Sequence, residues 1–175
     1  MNATCLHTRR CILRPARQAD LDALVAATRS PQFPDRLPLT QMKPRELSAW
    51  LATMCERMGD GAAALWSIDL VDEERACVGQ VSLAPKPDGT AWNLAFWIDP
   101  SYWGRGIATE ALAAAIDHAF EVLDVPVLHA GVALWNRASM RTVERLGFRH
   151  LGDNPDGYRV DGAPEPIREY ELAPS

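Results

Sequence analysis

The stretch Asp99-Pro-Ser-Tyr-Trp-Gly-Arg-Gly-Ile-Ala-Thr-Glu-Ala-Leu112 decides how this chain is read. A strand, Ala91 to Asp99, leads into it with Trp92, Leu94, Phe96 and Ile98 on one face. Both faces are largely apolar, so this strand belongs in the middle of a sheet. Pro100 ends it. Gly104 and Gly106 let backbone amides converge on one concave site with no side chain in the way. A helix follows at once, and its first turn adds unpaired N–H groups and a partial positive charge. Together they form an anion site suited to a pyrophosphate, with Arg105 at its rim. Other nucleotide loops do not fit. The third glycine of GxGxxG is missing, and no Gly-Lys-Ser/Thr occurs.

Outward from this loop the pattern stays regular. From Thr109 a helix carries Ala111, Leu112, Ala115, Ile116, Ala119, Phe120 and Leu123 as an apolar stripe. A strand follows at Val127 to Leu134. A short helix, Arg137 to Leu146, is closed by Gly147. The last strands are Phe148 to Gly152 and Ile167 to Leu172. Upstream, Thr8 to Arg14 reads as the first strand, ended by Pro15, and Asp20 caps a helix to about Ser30. Pro31 to Pro44 holds four prolines and reads as a loop. Arg45 to Met58 is a helix stopped by Gly59. Strands follow at Leu65–Val71 and Cys77–Leu83, and Pro87-Asp88-Gly89 is a turn. The order is strand, two helices, three strands, helix, strand, helix, two strands, a mixed α+β layer fold. No repeat or linker divides it, so residues 1–175 read as one domain.

Composition narrows the function. The chain is 47% hydrophobic and 23% charged, as in ordinary globular proteins. With 18 basic against 23 acidic residues the net charge is −5, which argues against nucleic acid as a partner while allowing a local polyphosphate site. Cys5, Cys11, Cys55 and Cys77 have neither CxxC spacing nor a histidine at ligand spacing, so free thiols and no metal are expected. No apolar leader opens the chain and no run approaches the roughly 18 residues of a membrane span, so the expectation is a soluble cytoplasmic protein without a membrane partner.

Trp103-Gly-Arg-Gly-Ile-Ala108 resembles the coenzyme A loop of the GNAT acetyltransferases, (Q/R)xxGx(G/A). Trp103 departs from the usual Gln or Arg. The fuller run Tyr102-Trp-Gly-Arg-Gly-Ile-Ala-Thr-Glu-Ala-Leu112 is similar to the branch that acetylates N-terminal alanine of ribosomal proteins. Thr8-Arg-Arg-Cys-Ile-Leu-Arg-Pro15 with Asp20, and Asn136-Arg-Ala-Ser139 with Leu146-Gly-Phe148, are similar to that branch's opening and "NxxS…LGF" segments. The resemblance implies the GNAT fold: a mixed, mostly antiparallel sheet, splayed between its fourth and fifth strands and flanked by helices. It implies acetyl-CoA as cosubstrate. The pantetheine arm would lie in the splay against the edge of the fourth strand, Phe96, Trp97 and Ile98. The pyrophosphate would sit at Trp103, Gly104, Arg105, Gly106, Ile107, Ala108 and Thr109. Asn136 would bind the coenzyme near its pantetheine, and Ser139 would stand beside its thiol. The implied acceptor is an amine, foremost a protein N-terminal α-amine, and the chain would act as a monomer or homodimer.

Two usual reactive groups are absent. The family commonly has a glutamate base in the fourth strand, where this chain has Asn93, and a tyrosine acid before "LGF", where it has Val143. Two readings stay open. One relies on positioning and on a backbone amide that stabilises the oxyanion. The other takes acid and base from elsewhere, with Ser139 the nearest candidate acid and Asn93 orienting water or substrate. Small-molecule amines, or acyl-CoA binding without turnover, are the alternatives to an N-terminal acceptor. Trp97 and Trp135 read as core or cleft. His118 reads as solvated, and His129 and His150 lie in strands with no carboxylate paired to them in sequence. Asp153, Asp156 and Asp161 fall in a late Pro/Gly-rich region, and the loops Pro31–Pro44 and Asn154–Pro166 would shape the acceptor site.

Overall fold

Leu6–His7 (β1) folds back on Cys11–Pro15 (β2), and the chain then alternates between one sheet and helices on its two faces. The computed structural model describes residues 4–175; residues 1–3, part of the opening read above for a leader, lie outside them. The elements are α1 (Leu21–Thr28), α2 (Pro38–Gln41), α3 (Pro44–Gly59), β3 (Ala64–Leu70), β4 (Gly79–Pro85), β5 (Trp92–Ile98), α4 (Ile107–Glu121), β6 (Leu128–Ala133), α5 (Arg137–Arg145), β7 (Arg149–Val160) and β8 (Ala163–Leu172). The eight strands lie in the order β1-β2-β3-β4-β5-β6-β8-β7. Every neighbouring pair is antiparallel except β5 and β6, which are parallel. This is the mixed, mostly antiparallel sheet expected above. The short β1 shifts the count by one, so β5 and β6 are the fourth and fifth strands of that expectation. They pair only at Trp92–Leu128 and Asn93–His129 and then part.

The alternation of β5 explains why two layers form. Leu94 and Ile98 pack with α4 residues Ile107, Ala111, Leu112 and Ala115 in the larger core. Trp97, on the opposite face, packs with Leu24, Ala27, Phe33 and Leu47, from α1, α3 and the segment between them. A polar chain threads this second layer. Arg14 Nη2 donates to Asp20 Oδ1 at 2.7 Å, Ser67 Oγ to Asp20 Oδ2 at 2.7 Å, Gln80 Nε2 to Ser67 Oγ at 3.1 Å, and Trp97 Nε1 to Gln80 Oε1 at 3.1 Å. Every member is satisfied, so the chain fixes the orientation of these side chains without leaving an orphaned group.

Several local expectations change. Asp20 is buried and its carboxylate binds Arg14 and Ser67 as well as the Arg17 amide; it joins the start of α1 to the sheet rather than capping that helix with its side chain. α4 starts at Ile107, two residues before Thr109, because Gly106 takes φ +75° and serves as the N-cap. α3 runs through Gly59, and the left-handed residue is Gly61. Pro31–Pro44 contains the one-turn α2, begun by Pro38. The largest difference is at 154–166, which is a β-hairpin and not a loop. Asp161 and Gly162 hold φ of 50° and 78°, and Val160 pairs with Ala163 across them. An Asp-Gly pair with both residues at positive φ is the signature of a two-residue hairpin turn. His118 is half-buried, its ring edge-on to Trp66 at 5.5 Å, because the β3 tryptophan needs cover there.

Candidate active site

Register determines which groups of β5 face the gap. Trp92 N donates to Val127 O on the β6 side, whereas Asp99 N donates to Val78 O on the β4 side. Backbone direction alternates along a strand. The N–H and C=O of Leu94, Phe96 and Ile98 therefore face β6, and beyond Asn93 no β6 residue pairs with them. Trp97 is turned the other way: its carbonyl lies against Gly79 of β4 and its indole is 5% exposed in the α1/α3 layer. It does not share the free edge with Phe96 and Ile98. Trp103 closes the far end of that edge, its indole Nε1 donating to Ile98 O at 2.8 Å.

The glycine loop sits just beyond. Gly104 and Gly106 both have φ +75°, a conformation that costs any other residue strain. Their carbon positions open outward; a Cβ on Gly106 would meet only Arg10 Nη2, at 3.3 Å. The loop is braced from behind. Arg10 Nη1 donates to Arg105 O at 2.7 Å, and Arg10 Nε donates to Glu110 Oε2 at 2.6 Å. Glu110 also accepts from Thr8 Oγ1 and the Arg10 amide. Burial works to raise the Glu110 pKa, but these hydrogen bonds and the Arg10 charge prevail and hold it at about 2. Arg105 lies over the Tyr102 ring at 4.9 Å and pairs with Glu73 at 3.2 Å. Ile107, Ala108 and Thr109 form the first turn of α4, where helix geometry leaves N–H groups free for an anion.

On the β6 side, Asn136 is the N-cap of α5, its Oδ1 accepting from Ser139 N at 3.3 Å. Ser139 is partly exposed in the first turn. Among the described residues its hydroxyl has no hydrogen-bond partner within the protein, so it does not bond back to the backbone. Val143 is fully buried in the larger core, so its position offers no acid.

The opposite face of the gap holds what the sequence reading passed over. Residues 93, 95, 129, 131, 169 and 171 share the α1/α3 side of the sheet by register. Asn93, Ala95 and Gly131 are exposed, making an open trough between α1/α3 and the β7 hairpin. At its floor His129 Nδ1 lies 3.1 Å from Asn93 Oδ1, and His129 Nε2 lies 3.9 Å from Glu169 Oε1. His129 does have a carboxylate neighbour; β6–β8 pairing supplies it from 40 positions away, which no local pattern signals. Burial lowers the His129 pKa, with Lys86 adding to this and Glu169 and Glu171 opposing it. His150 lies 3.3 Å from Asp153 on the exposed β7, and Asp153 also pairs with Arg168.

A strap crosses the mouth of the gap. Phe33 approaches the Trp103 ring at 6.4 Å on the β5 side. Arg36 pairs with Glu165, which accepts Trp135 Nε1 at 2.8 Å on the β6 side, and Tyr158 OH donates to Arg36 O at 2.7 Å. The loop 31–44 and the hairpin 154–166 are thus locked together over the trough. Trp135 is 38% exposed and lines this mouth rather than the core.

A family model for the acetyltransferase (GNAT) domain matches residues 10–149. Two Bacillus subtilis proteins, the probable N-acetyltransferase YjcK and the putative ribosomal N-acetyltransferase YdaF, are each 33% identical to the chain, over 69 and 80 residues. Those stretches cover 39% and 46% of this chain, and the chain spans 38% and 44% of the two relatives' lengths. Among solved structures, the ribosomal L7/L12 alpha-N-protein acetyltransferase RimL in complex with coenzyme A superposes with a TM-score of 0.83 at 20% identity, covering 97% of this chain and 98% of that chain. At that identity the likeness carries the fold. Among the described residues no helix is long and apolar enough to cross a membrane.

Proposed function

The chain belongs to the GNAT acetyltransferase family, and from that premise we propose that it moves the acetyl group of acetyl-CoA to the α-amine of a protein N-terminus. The observation that carries this reading is the unpaired edge of β5, which joins the glycine loop on one side to an open trough on the other. The pyrophosphate sits on the Gly104–Thr109 amides beside Trp103 and Arg105. The pantetheine arm lies along Phe96 and Ile98, with Asn136 and Ser139 opposite. The acceptor enters over Asn93, Ala95 and Gly131.

Each step has a group suited to it. A backbone N–H on the free edge stabilises the carbonyl oxyanion as the tetrahedral adduct forms. The Ser139 hydroxyl donates to the departing sulfur. A thiol with a pKa of roughly 8.5 leaves well as thiolate, so this donor needs to supply little. An α-amine, with a pKa of about 7.7–8.0, is substantially neutral near pH 7.5, whereas a lysine amine near 10.4 is neutral about once in a thousand molecules. A site without a glutamate at position 93 therefore suits the α-amine. The ribosomal acetyltransferases among the relatives and neighbours support that choice.

Coenzyme A and acetyl-CoA should both stabilise the protein against heat, by about 2.7 kcal/mol at 100 times the dissociation constant. Acetyl-CoA with an N-terminal peptide should then release free thiol. No melting shift at millimolar coenzyme removes the donor site, and a shift without thiol release leaves an acyl-CoA-binding module.

A further inference from the structure

We propose that His129 is the proton acceptor for the incoming amine, held in its working tautomer by Asn93 and stabilised after protonation by Glu169. This rests on the acetyl-transfer reading above and assigns a base where the family's usual glutamate position is filled by an amide.

Three observations converge. The first is place. Asn93 and His129 form the last paired step of β5 and β6, at the vertex from which the strands part, and their side chains point to the trough. The second is the tautomer. Asn93 Oδ1 can only accept, so at 3.1 Å it takes the proton of His129 Nδ1 and leaves the lone pair on Nε2. The third is what faces Nε2. Glu169 Oε1 stands 3.9 Å away, too far for a direct hydrogen bond and close enough to favour an imidazolium. The side chain is 13% exposed, so it is shielded without being sealed. The other charged groups facing it are Lys86, after β4, and Glu171, on β8. Burial acts first and lowers the imidazole pKa, which keeps His129 neutral and able to accept at neutral pH.

The proton balance is simple. The bound ammonium gives one proton to Nε2, directly or through one water. The freed nitrogen lone pair attacks the thioester carbon, the C–N bond forms, and the tetrahedral adduct expels the thiolate with the C–S bonding pair. The second nitrogen proton ends on sulfur. His129 returns the first to solvent. Even at the ordinary imidazole pKa of about 6.5, taking a proton from an α-ammonium is uphill by roughly 15- to 30-fold, and from a lysine ammonium by about 10⁴-fold. This base strength matches the acceptor class proposed above.

The test uses His129→Gln and His129→Ala. Both should keep the coenzyme-induced melting shift of the wild type, which shows an intact fold and donor site. At saturating substrates turnover should fall by about 100-fold or more. The wild-type rate should fall with pH along two limbs, one set by the acceptor amine and a second at the histidine pKa, and only the second should vanish in both variants. Added imidazole should restore part of the His129→Ala rate, which a structural role would not allow. Glu169→Gln should keep the second limb but move it to lower pH, because the carboxylate that favours the charged ring is gone. Active wild type with unchanged turnover in His129→Gln, or a second acid limb below that of the acceptor amine that survives the substitution, overturns the assignment of His129 alone. Wild type that turns over no amine removes the acetyl-transfer reading and this proposal with it.

Discussion

Arg36 Nε donates to Glu165 Oε2 at 3.0 Å, tying the proline-rich segment between α1 and α3 to β8 across the mouth of the gap. Glu165 is also the partner of the Trp135 indole, next to Asn136. Under the proposed function an acceptor passes beside this latch and the coenzyme enters from the α4 side. Glu165→Gln keeps an acceptor for Trp135 and loses the charge that holds Arg36. Because Arg36 is half exposed, the pair is worth little in isolation. The acceptor KM should rise about two- to fivefold, with turnover at saturation and coenzyme affinity unchanged. A loss in coenzyme affinity would show that the latch serves the donor site instead.

Gly106 is the most exacting position of the loop. Its φ is +75°, and an added Cβ would stand 3.3 Å from Arg10 Nη2. Valine there suffers both backbone strain and a displaced arginine. Gly106→Val should abolish detectable coenzyme binding by calorimetry while circular dichroism stays that of the folded protein. Wild-type affinity in the folded variant would place the pyrophosphate elsewhere.

Ser139 and Asn93 should separate in turnover. A proton donor to sulfur assists a group that already leaves well, so Ser139→Ala should cost about 10- to 100-fold, below the full effect of a general acid. Asn93→Ala removes an orienting contact and no proton-transfer group, and should cost less than about tenfold. If Ser139→Ala weakens coenzyme binding and leaves saturated turnover intact, the hydroxyl is a binding group only. If Asn93→Ala is the more damaging change, orientation at the vertex dominates proton donation to sulfur.

Glu110 links the loop to pH. Its folded pKa is about 2 against an ordinary 4.5, so its contribution is present above about pH 4.5 and is lost as pH falls toward 2. Arg10 is partly exposed, which discounts the contribution to about 1–2 kcal/mol. Glu110→Gln should lower stability by that amount at pH 7, measured by urea unfolding, and the difference from wild type should shrink as the pH is taken below 4.5. An undiminished difference at pH 2.5 would mean that the carboxylate charge is not what braces the loop.

Much of this was legible in the chain. The glycine pair, the apolar stripe of α4 and the strand alternation of β5 are local patterns, and the structure has the positive-φ glycines, the buried α4 face and a central β5 that they imply. Missed features come from pairings that no local window contains. His129 meets Glu169 only because β8 inserts between β6 and β7. Glu165 meets Arg36 only because the hairpin folds over the proline-rich segment. The hairpin itself carried a local signal, Asp161-Gly162, which the surrounding prolines and polar residues obscured. Trp97 shares β5 with Phe96 and Ile98, but strand alternation turns its carbonyl to β4, a difference that the two-residue period of the strand carries by itself.

The central claim is acetyl transfer from acetyl-CoA to an α-amine, and one assay meets it directly. Thiol release from acetyl-CoA is measured at pH 7.5 with two sets of peptides: those beginning Ala, Ser or Met with no lysine, and N-acetylated peptides carrying one internal lysine. The account predicts saturable release with the free N-termini and at least about 100-fold lower kcat/KM with the capped lysine peptides, in line with the neutral fractions of the two amines. Equal rates with both sets, or release with small amines and none with either peptide set, would contradict it.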